Sequence, residues 1–216
     1  MYKDFNLCDS PLERGDKGCV HNAITHPQPL LLEGRVKVAA KGNLIYFSCF
    51  TASIGGVFVA KSLRGVCRIS FPCATEKDFF SRFSRETDFQ FLQDDTLLQY
   101  ETALLKDYFL GKLVTFDFTL DFDQGTPFQV KVWKKLMEIP YGEYRSYKWV
   151  AEEIGQHKAA RAVGMANNKN PLPPVVPCHR VIGSDGGLTG YASGLAIKKR
   201  LLEMEHTTLI QKLGLL

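Results

Sequence analysis

The side chains best suited to covalent chemistry are gathered in one stretch. Asn170-Pro171-Leu172-Pro173-Pro174-Val175-Val176-Pro177-Cys178-His179-Arg180-Val181 sets a thiol, an imidazole and a guanidinium side by side behind four prolines, which hold the backbone extended and stiff. Cysteine attacks as the thiolate, and a free thiol with a pKa of about 8.5 needs positive charge or a hydrogen-bond relay beside it to ionise at neutral pH. His179 can supply that relay. Alone, the pair fits a buried apolar cysteine beside a core histidine at least as well, so its surroundings have to decide.

Those surroundings are mostly helical. Thr126-Pro127-Phe128-Gln129 combines an N-cap residue, a first-turn proline and a glutamine three residues on, which predicts a helix over 127–138 that stops near Pro140 and Gly142. Ser146 is a second N-cap, before a helix carrying Trp149, Val150 and Ile154 that Gly155 closes. A third helix is expected from about 157–159 to Asn168. Joined through Gly155 and Gln156, the last two make a helix-turn-helix-like unit whose second helix carries the small residues Ala159, Ala160, Ala162, Gly164 and Ala166. Short helical hairpins also occur in proteins that touch no nucleic acid. A further helix begins around Leu195, with Glu205 near its C-terminus, where the helix dipole disfavours a carboxylate.

Upstream the texture differs. Short apolar and β-branched runs at 36–40, 44–50, 57–60 and 66–71, broken by glycine-containing turns, predict a three- or four-stranded antiparallel meander. Apolar residues at helical spacing predict helices over 76–85 and 96–110, and the alternation of 114–122 predicts another strand. The expected organisation is an α+β chain: an irregular arm over 1–34, an N-terminal α/β domain over 35–122 with no catalytic constellation, and a mostly helical domain over 126–213. Asp123-Gln124-Gly125 is the linker.

Charge is segregated along the chain. Residues 131–200 hold twelve lysines and arginines against five acids, a balance of +7, and the remainder carries −3 of the overall +4. A basic C-terminal half facing a polyanion explains this, as does a solvated charged surface. Six scattered cysteines, no basic stretch leading into an apolar run at the start, and no long uncharged apolar segment argue for reduced thiols in a cytoplasmic (or, in a eukaryote, nuclear) protein that is neither secreted nor membrane-spanning. Cys8, Cys19, His21 and His26 could ligate zinc, but their spacing matches no common finger and no metal site is assigned to them.

Phe128-Gln129, Val132-Trp133, Ile139-Pro140-Tyr141-Gly142-Glu143, Ser146-Tyr147, Ala159 to Gly164, Asn170-Pro171, Pro177 to Val181, Gly190-Tyr191 and the run from Gly194-Leu195 to Glu205 span about 80 residues. In order and spacing they resemble the O6-alkylguanine-DNA alkyltransferases, or methylated-DNA-protein-cysteine methyltransferases. The resemblance implies a ribonuclease-H-like N-terminal domain and direct-reversal repair: an alkyl group passes irreversibly from O6 of a flipped guanine to the protein's own cysteine, once per molecule. Carried over by position, it makes Cys178 the acceptor, His179 its water-linked base, Glu205 the carboxylate that orients the imidazole, and Tyr147 the donor to the departing guanine. Arg161 would enter the base stack, with Ala159, Ala160 and Tyr147 also at the DNA. Asn170, Val181, Tyr191, Ala192 and Ser193 would line the base pocket, although Ala192-Ser193 stands where many relatives carry Ser-Gly or a bulkier pair. The implied partner is double-stranded DNA containing O6-alkylguanine, bound by a monomer, with no metal or organic cofactor.

Three other readings compete. A lesion sensor of the same fold would lack the cysteine, and a helix-turn-helix regulator leaves Pro177 to Val181 unexplained. A cysteine hydrolase requires an oxyanion hole that the sequence does not locate.

Overall fold

The structure, a computed structural model, describes residues 44–83 and 89–214. The arm at 1–34, the strand expected at 36–40, the end of the helix expected over 76–85, and Cys8, Cys19, His21 and His26 lie outside the described residues.

The expected meander forms from β1 (Leu44–Ala52), β2 (Gly55–Ser62) and β3 (Gly65–Ser70), with each neighbouring pair antiparallel. Its central run is apolar throughout because both faces of β2 are covered. Val57 and Val59 join one core, whereas Phe58 and Ala60 turn to a separate cluster rich in phenylalanine, as the two-residue period of a strand requires. That second cluster is closed by the short helix α1 (Glu76–Phe80) through Phe79. A fourth strand, β4 (Gln90–Gln93), runs parallel to β1 and gives the sheet the order β3-β2-β1-β4. On the other face lies α2 (Gln99–Phe109), which buries Leu105, Tyr108 and Phe109.

The strand expected over 114–122 does not form. Its alternation is real: Val114, Phe116, Phe118, Leu120 and Phe122 all pack against the main core. Alternation reports which way side chains face and says nothing about ladder partners. Only Val66 pairs with Leu120 in an isolated bridge, with Val66 N donating to Thr119 O (2.9 Å) and Asp121 N to Val66 O (2.8 Å).

Helix α3 (Pro127–Leu136) starts where the sequence places it, with a complete capping box. Gln129 N donates to Thr126 Oγ1 (3.3 Å) and Thr126 N to Gln129 Oε1 (2.9 Å). A two-residue strand β5 (Arg145–Ser146) leads into α4 (Tyr147–Glu153), where Ser146 Oγ accepts from Trp149 N. Gly155 closes that helix at φ +70°, a left-handed conformation that glycine adopts without strain. Gly155 N then donates to Glu152 O and Gln156 N to Ala151 O, the paired bonds of a Schellman stop. Next come α5 (Ala160–Asn168), a 3-10 turn over Cys178–Arg180, β6 (Val181–Ile182) and α6 (Leu195–Lys212). Because α6 runs on to Lys212, Glu205 lies in mid-helix and not near the end as expected. The dipole argument against a carboxylate there falls away.

One continuous core joins β1–β3 and α2 to Trp133 of α3, Val163 of α5, Val181 of β6 and Leu201 of α6. No helix among the described residues is long and apolar enough to cross a membrane.

Candidate active site

The segment before Cys178 is buried almost throughout, although it is neither helix nor strand. Buried irregular backbone normally strands amides that need partners. Prolines at 171, 173, 174 and 177 remove four of those donors. Asn170 supplies much of the rest of the order: its Oδ1 accepts from Leu172 N (3.0 Å) and its Nδ2 donates to Val176 O (2.8 Å). The same Nδ2 lies 3.0 Å from Cys178 Sγ. Asn170 thus fixes the turn and also donates to the sulfur.

The two-residue pairing of β5 with β6 sets Arg145 beside Val181 and Ser146 beside Ile182. It brings Tyr147, the first residue of α4, to the chain just beyond Cys178. The Tyr147 hydroxyl donates to Thr189 O (3.0 Å) and lies 3.4 Å from Lys198 Nζ.

Glu205 is the centre of the polar cluster. Its Oε1 accepts from Tyr108 OH (2.6 Å), His179 Nε2 (2.9 Å) and Arg180 Nη2 (2.9 Å). Its Oε2 accepts from Arg180 Nε (2.8 Å) and from Gly142 N (3.1 Å). Both Glu205 and His179 are fully buried. Burial alone would raise the Glu205 carboxyl, but His179 and Arg180 outweigh it and hold the group well below the usual carboxylate range. Burial pushes the His179 imidazole down, and Glu205 only partly offsets this. The imidazole is therefore neutral at neutral pH. An ionised carboxylate can only accept, so the proton of that imidazole sits on Nε2 and the lone pair on Nδ1. That Nδ1 is buried and has no hydrogen-bond partner among the described residues.

Burial pushes the Cys178 thiol up to about 11, against the opposing pull of Asn170, Lys198 and the backbone amides of Cys178 and His179. A thiol so placed is protonated at rest, and a base has to act when it reacts. Cys67 is pushed up to about 12 by burial first and Asp121 second, against the opposing pull of Arg68 and of the backbone at Ser62 and Cys67.

Three contributors were missed in the sequence. Lys198 is fully buried, donates to Val181 O (2.6 Å) and Thr189 O (2.9 Å), and is lowered to about 8 by burial despite the opposing effect of Cys178. Its signal was present: Lys198, Leu201 and Glu205 are the buried face of α6, at spacings of three and four. Arg180 was noted as a neighbouring charge and proves to be the bidentate partner of Glu205, with Nη1 donating to Ile139 O (2.7 Å). Tyr108 comes from the half of the chain that was read as having no catalytic constellation. Nothing local marks it, because its partner lies 97 positions away.

Tyr191 is half-buried, and its hydroxyl has no partner among the described residues. Ala192 is exposed, and the Ser193 hydroxyl is committed to Phe71 O. On α5, Arg161 is exposed and in no ion pair among the described residues, with Ala159 and Ala160 half-buried beside it. Arg161, Met165, Asn168 and Lys169 form one solvent face, and Val163, Ala166 and Asn167 face the core. Helix α5 is anchored from below, where Trp133 Nε1 donates to Ala166 O (2.9 Å).

Residues 127–207 match the family described as 6-O-methylguanine DNA methyltransferase, DNA binding domain. A methylated-DNA–protein-cysteine methyltransferase of Methanosarcina barkeri is 42% identical over 165 residues, 76% of this chain and 99% of the relative. The protein of that name from Mycobacterium tuberculosis strain H37Rv is 56% identical over 103 residues, 48% of this chain and 62% of the relative. Among solved structures, Mycobacterium tuberculosis OGT in complex with DNA superimposes with a TM-score of 0.66 at 39% identity, covering 76% of this chain and 94% of that one. The O6-methylguanine-DNA methyltransferase of Pyrococcus kodakaraensis gives 0.53 at 27% identity, over 74% and 98%. The mixed α+β fold, a small sheet with helices, is the one these proteins share.

Proposed function

The chain belongs to the methylated-DNA–protein-cysteine methyltransferase family, and from that premise we propose that Cys178 is the residue that takes the alkyl group. The protein repairs O6-alkylguanine in double-stranded DNA by direct reversal, moving the alkyl group irreversibly to its own cysteine, one transfer per molecule. What supports Cys178 as the acceptor is the hydrogen-bond chain behind it. Glu205 fixes the proton of His179 on Nε2, leaving Nδ1 with its lone pair as the base next in sequence to a protonated thiol.

The reaction then balances as follows. The Cys178 proton passes to His179 Nδ1 through a water molecule, and the sulfur attacks the alkyl carbon. An S–C bond forms as the C–O6 bond breaks, and the electron pair leaves with the guanine. Tyr147 delivers a proton to that base, exchanging its bond to Thr189 O for one to guanine while Lys198 Nζ stays beside its oxygen. The imidazolium formed on His179 is stabilised by Glu205. The product thioether is a poor leaving group, so turnover ends at one.

For DNA, α4 and α5 are read as the helix-turn-helix unit and the sheet with α2 as the ribonuclease-H-like domain. The Schellman stop at Gly155 and the exposed, unpaired Arg161 support the first part of that reading. Arg161 would fill the stack vacated by the flipped base, an extrusion that costs a few kcal/mol, with Ala159 and Ala160 letting the helix backbone come close to the groove. Tyr191, Ala192, Ser193, Val181 and Asn170 would bound the base pocket.

Intact mass before and after mixing with a duplex holding one O6-methylguanine, followed by peptide mapping, tests the assignment. One methyl group on the Cys178 peptide is expected. Cys178→Ser should lose transfer and keep salt-dependent binding to the duplex. A methyl group on Cys67 or any other cysteine refutes the assignment.

A further inference from the structure

We infer that Tyr108 is a positioning residue of the alkyl transfer, supplied to the Cys178 site by the N-terminal half: its hydroxyl holds Glu205, and through Glu205 the tautomer of His179. The inference rests on Cys178 being the acceptor.

The geometry decides between two roles for one hydroxyl. Tyr108 OH lies 2.6 Å from Glu205 Oε1 and 3.3 Å from His179 Nε2. Were its proton given to Nε2, the neutral imidazole would carry its own proton on Nδ1, and the base facing the thiol would be lost. The short contact to an acceptor-only carboxylate commits the proton to Glu205 instead. A lone pair of the Tyr108 oxygen is then left toward Nε2–H, so this proton sits between two acceptors, Glu205 Oε1 and Tyr108 O.

The ring cannot swing away to do otherwise. Tyr108 is 1% exposed, on the last turn of α2, and is packed edge-on against Phe109 and Tyr141 and at a tilt against Phe116, with centroids 5.3, 6.2 and 5.7 Å away. These contacts hold the hydroxyl at the site before any substrate arrives, which is what preorganisation of a relay requires. Burial, first, and Glu205, second, keep the phenol protonated. Besides Tyr108 from α2, Arg180 from the turn and Lys198 from α6 act on His179, Arg180 also acts on Glu205, and Tyr141 and Tyr191 stand within the field of that carboxylate.

The test is the single-turnover rate of transfer from free O6-benzylguanine, measured across the pH range in which histidine titrates, for wild type, Tyr108→Phe, Glu205→Gln and the double variant. Tyr108→Phe is expected to be slower by about ten- to a hundredfold, the scale of one hydrogen bond to a charged group. Its acid limb should move to higher pH, because a carboxylate relieved of one donor makes His179 more basic. Adding Tyr108→Phe to Glu205→Gln should change little, since the hydroxyl acts through that carboxylate. Should the double variant fail to fold, the acid limb of the single variant decides. Losses that multiply, an unmoved acid limb, or a slower rate wholly accounted for by the folded fraction in a thermal melt would each overturn the inference. Mapping the benzyl label separates the two claims. A label on Cys178 with an unchanged Tyr108→Phe rate defeats this inference alone, and a label elsewhere defeats both.

Discussion

Glu205→Gln is the most severe isosteric change the site offers, and its cost can be argued atom by atom. The carboxylate accepts five hydrogen bonds, three at Oε1 and two at Oε2. A glutamine must place its NH₂ at one of the two positions. It then faces either Tyr108, His179 and Arg180 Nη2, or Arg180 Nε and Gly142 N, and each of these donates to the carboxylate in the native arrangement. Arg180, 9% exposed, also loses its counter-charge. Summing five bonds would overstate the loss, because relief of the carboxylate's own desolvation opposes it. Breaking a buried pair by removing one partner costs about 3–5 kcal/mol, against a total stability of roughly 5–15 kcal/mol for a domain. With a urea dependence of about 2 kcal/mol per molar, the unfolding midpoint at neutral pH should fall by about 2 M. The wild type should carry the same interaction in its acid response. Glu205 is held below its ordinary value of 4.5 and His179 below 6.5. Both bind fewer protons folded than unfolded, so their contribution is complete above these values and is lost as pH falls, first through His179 and then through Glu205. A variant within about 1 kcal/mol of wild type at neutral pH, or a wild type whose stability stays flat as pH falls below about 4.5, would refute the account.

Two further outcomes follow from the site and the DNA face proposed for α5. Arg161→Ala should keep most of its rate on free O6-benzylguanine and react much more slowly with duplex DNA, because Arg161 is exposed on α5 and is not among the groups acting on the Cys178 thiol; equal losses on both substrates in single-turnover assays would remove it from base extrusion. Methylation of Cys178 should lower the melting temperature once DNA is removed, since a carbon is added where Asn170 Nδ2 lies 3.0 Å from the sulfur. Overpacking costs about 1–3 kcal/mol, or roughly 2–4 °C for each kcal/mol in a protein of this size, and an unchanged or higher midpoint in calorimetry would contradict it.

Local chemistry was legible in the sequence where neighbours in the chain are neighbours in space. Thr126 with Gln129, Ser146 with Trp149 N, and Gly155 after α4 are caps, each completed within a few residues. The Asn170 to Val181 stretch announced itself for the same reason. Long-range pairing was not legible. Residues 114–122 carry a strand's alternation, but β3 offers them a partner only at Val66. The reverse holds for β4, which is four residues long with glutamine at both ends and shows no strand pattern, yet pairs with β1. Lys198 reads as a helix-surface lysine until α6 is seen to turn it inward with Glu205. Tyr108 reads as one more aromatic of an amphipathic helix.

Among the described residues the sheet has two outer strands, and each is kept from recruiting a stray chain in a different way. At β4 the edge is short and carries Gln90 and Gln93, a poor template for edge-to-edge growth. At β3 the edge is longer and buries Val66, Cys67 and Ile69, and the rest of the molecule plugs it. Val66 N and O are taken by Thr119 and Asp121, Ile69 N donates to Pro171 O (2.8 Å), and Phe71 O accepts from Ser193. Two of those plugs belong to the segments on either side of Cys178. A fragment or nascent chain that ended before 126 would bare the amide of Ile69 at an edge carrying Val66, Ile69 and Phe71, and an unpaired edge of this kind is prone to aggregate. The half that carries Cys178 therefore also covers part of the β3 edge, and cutting the protein between the halves would uncover it.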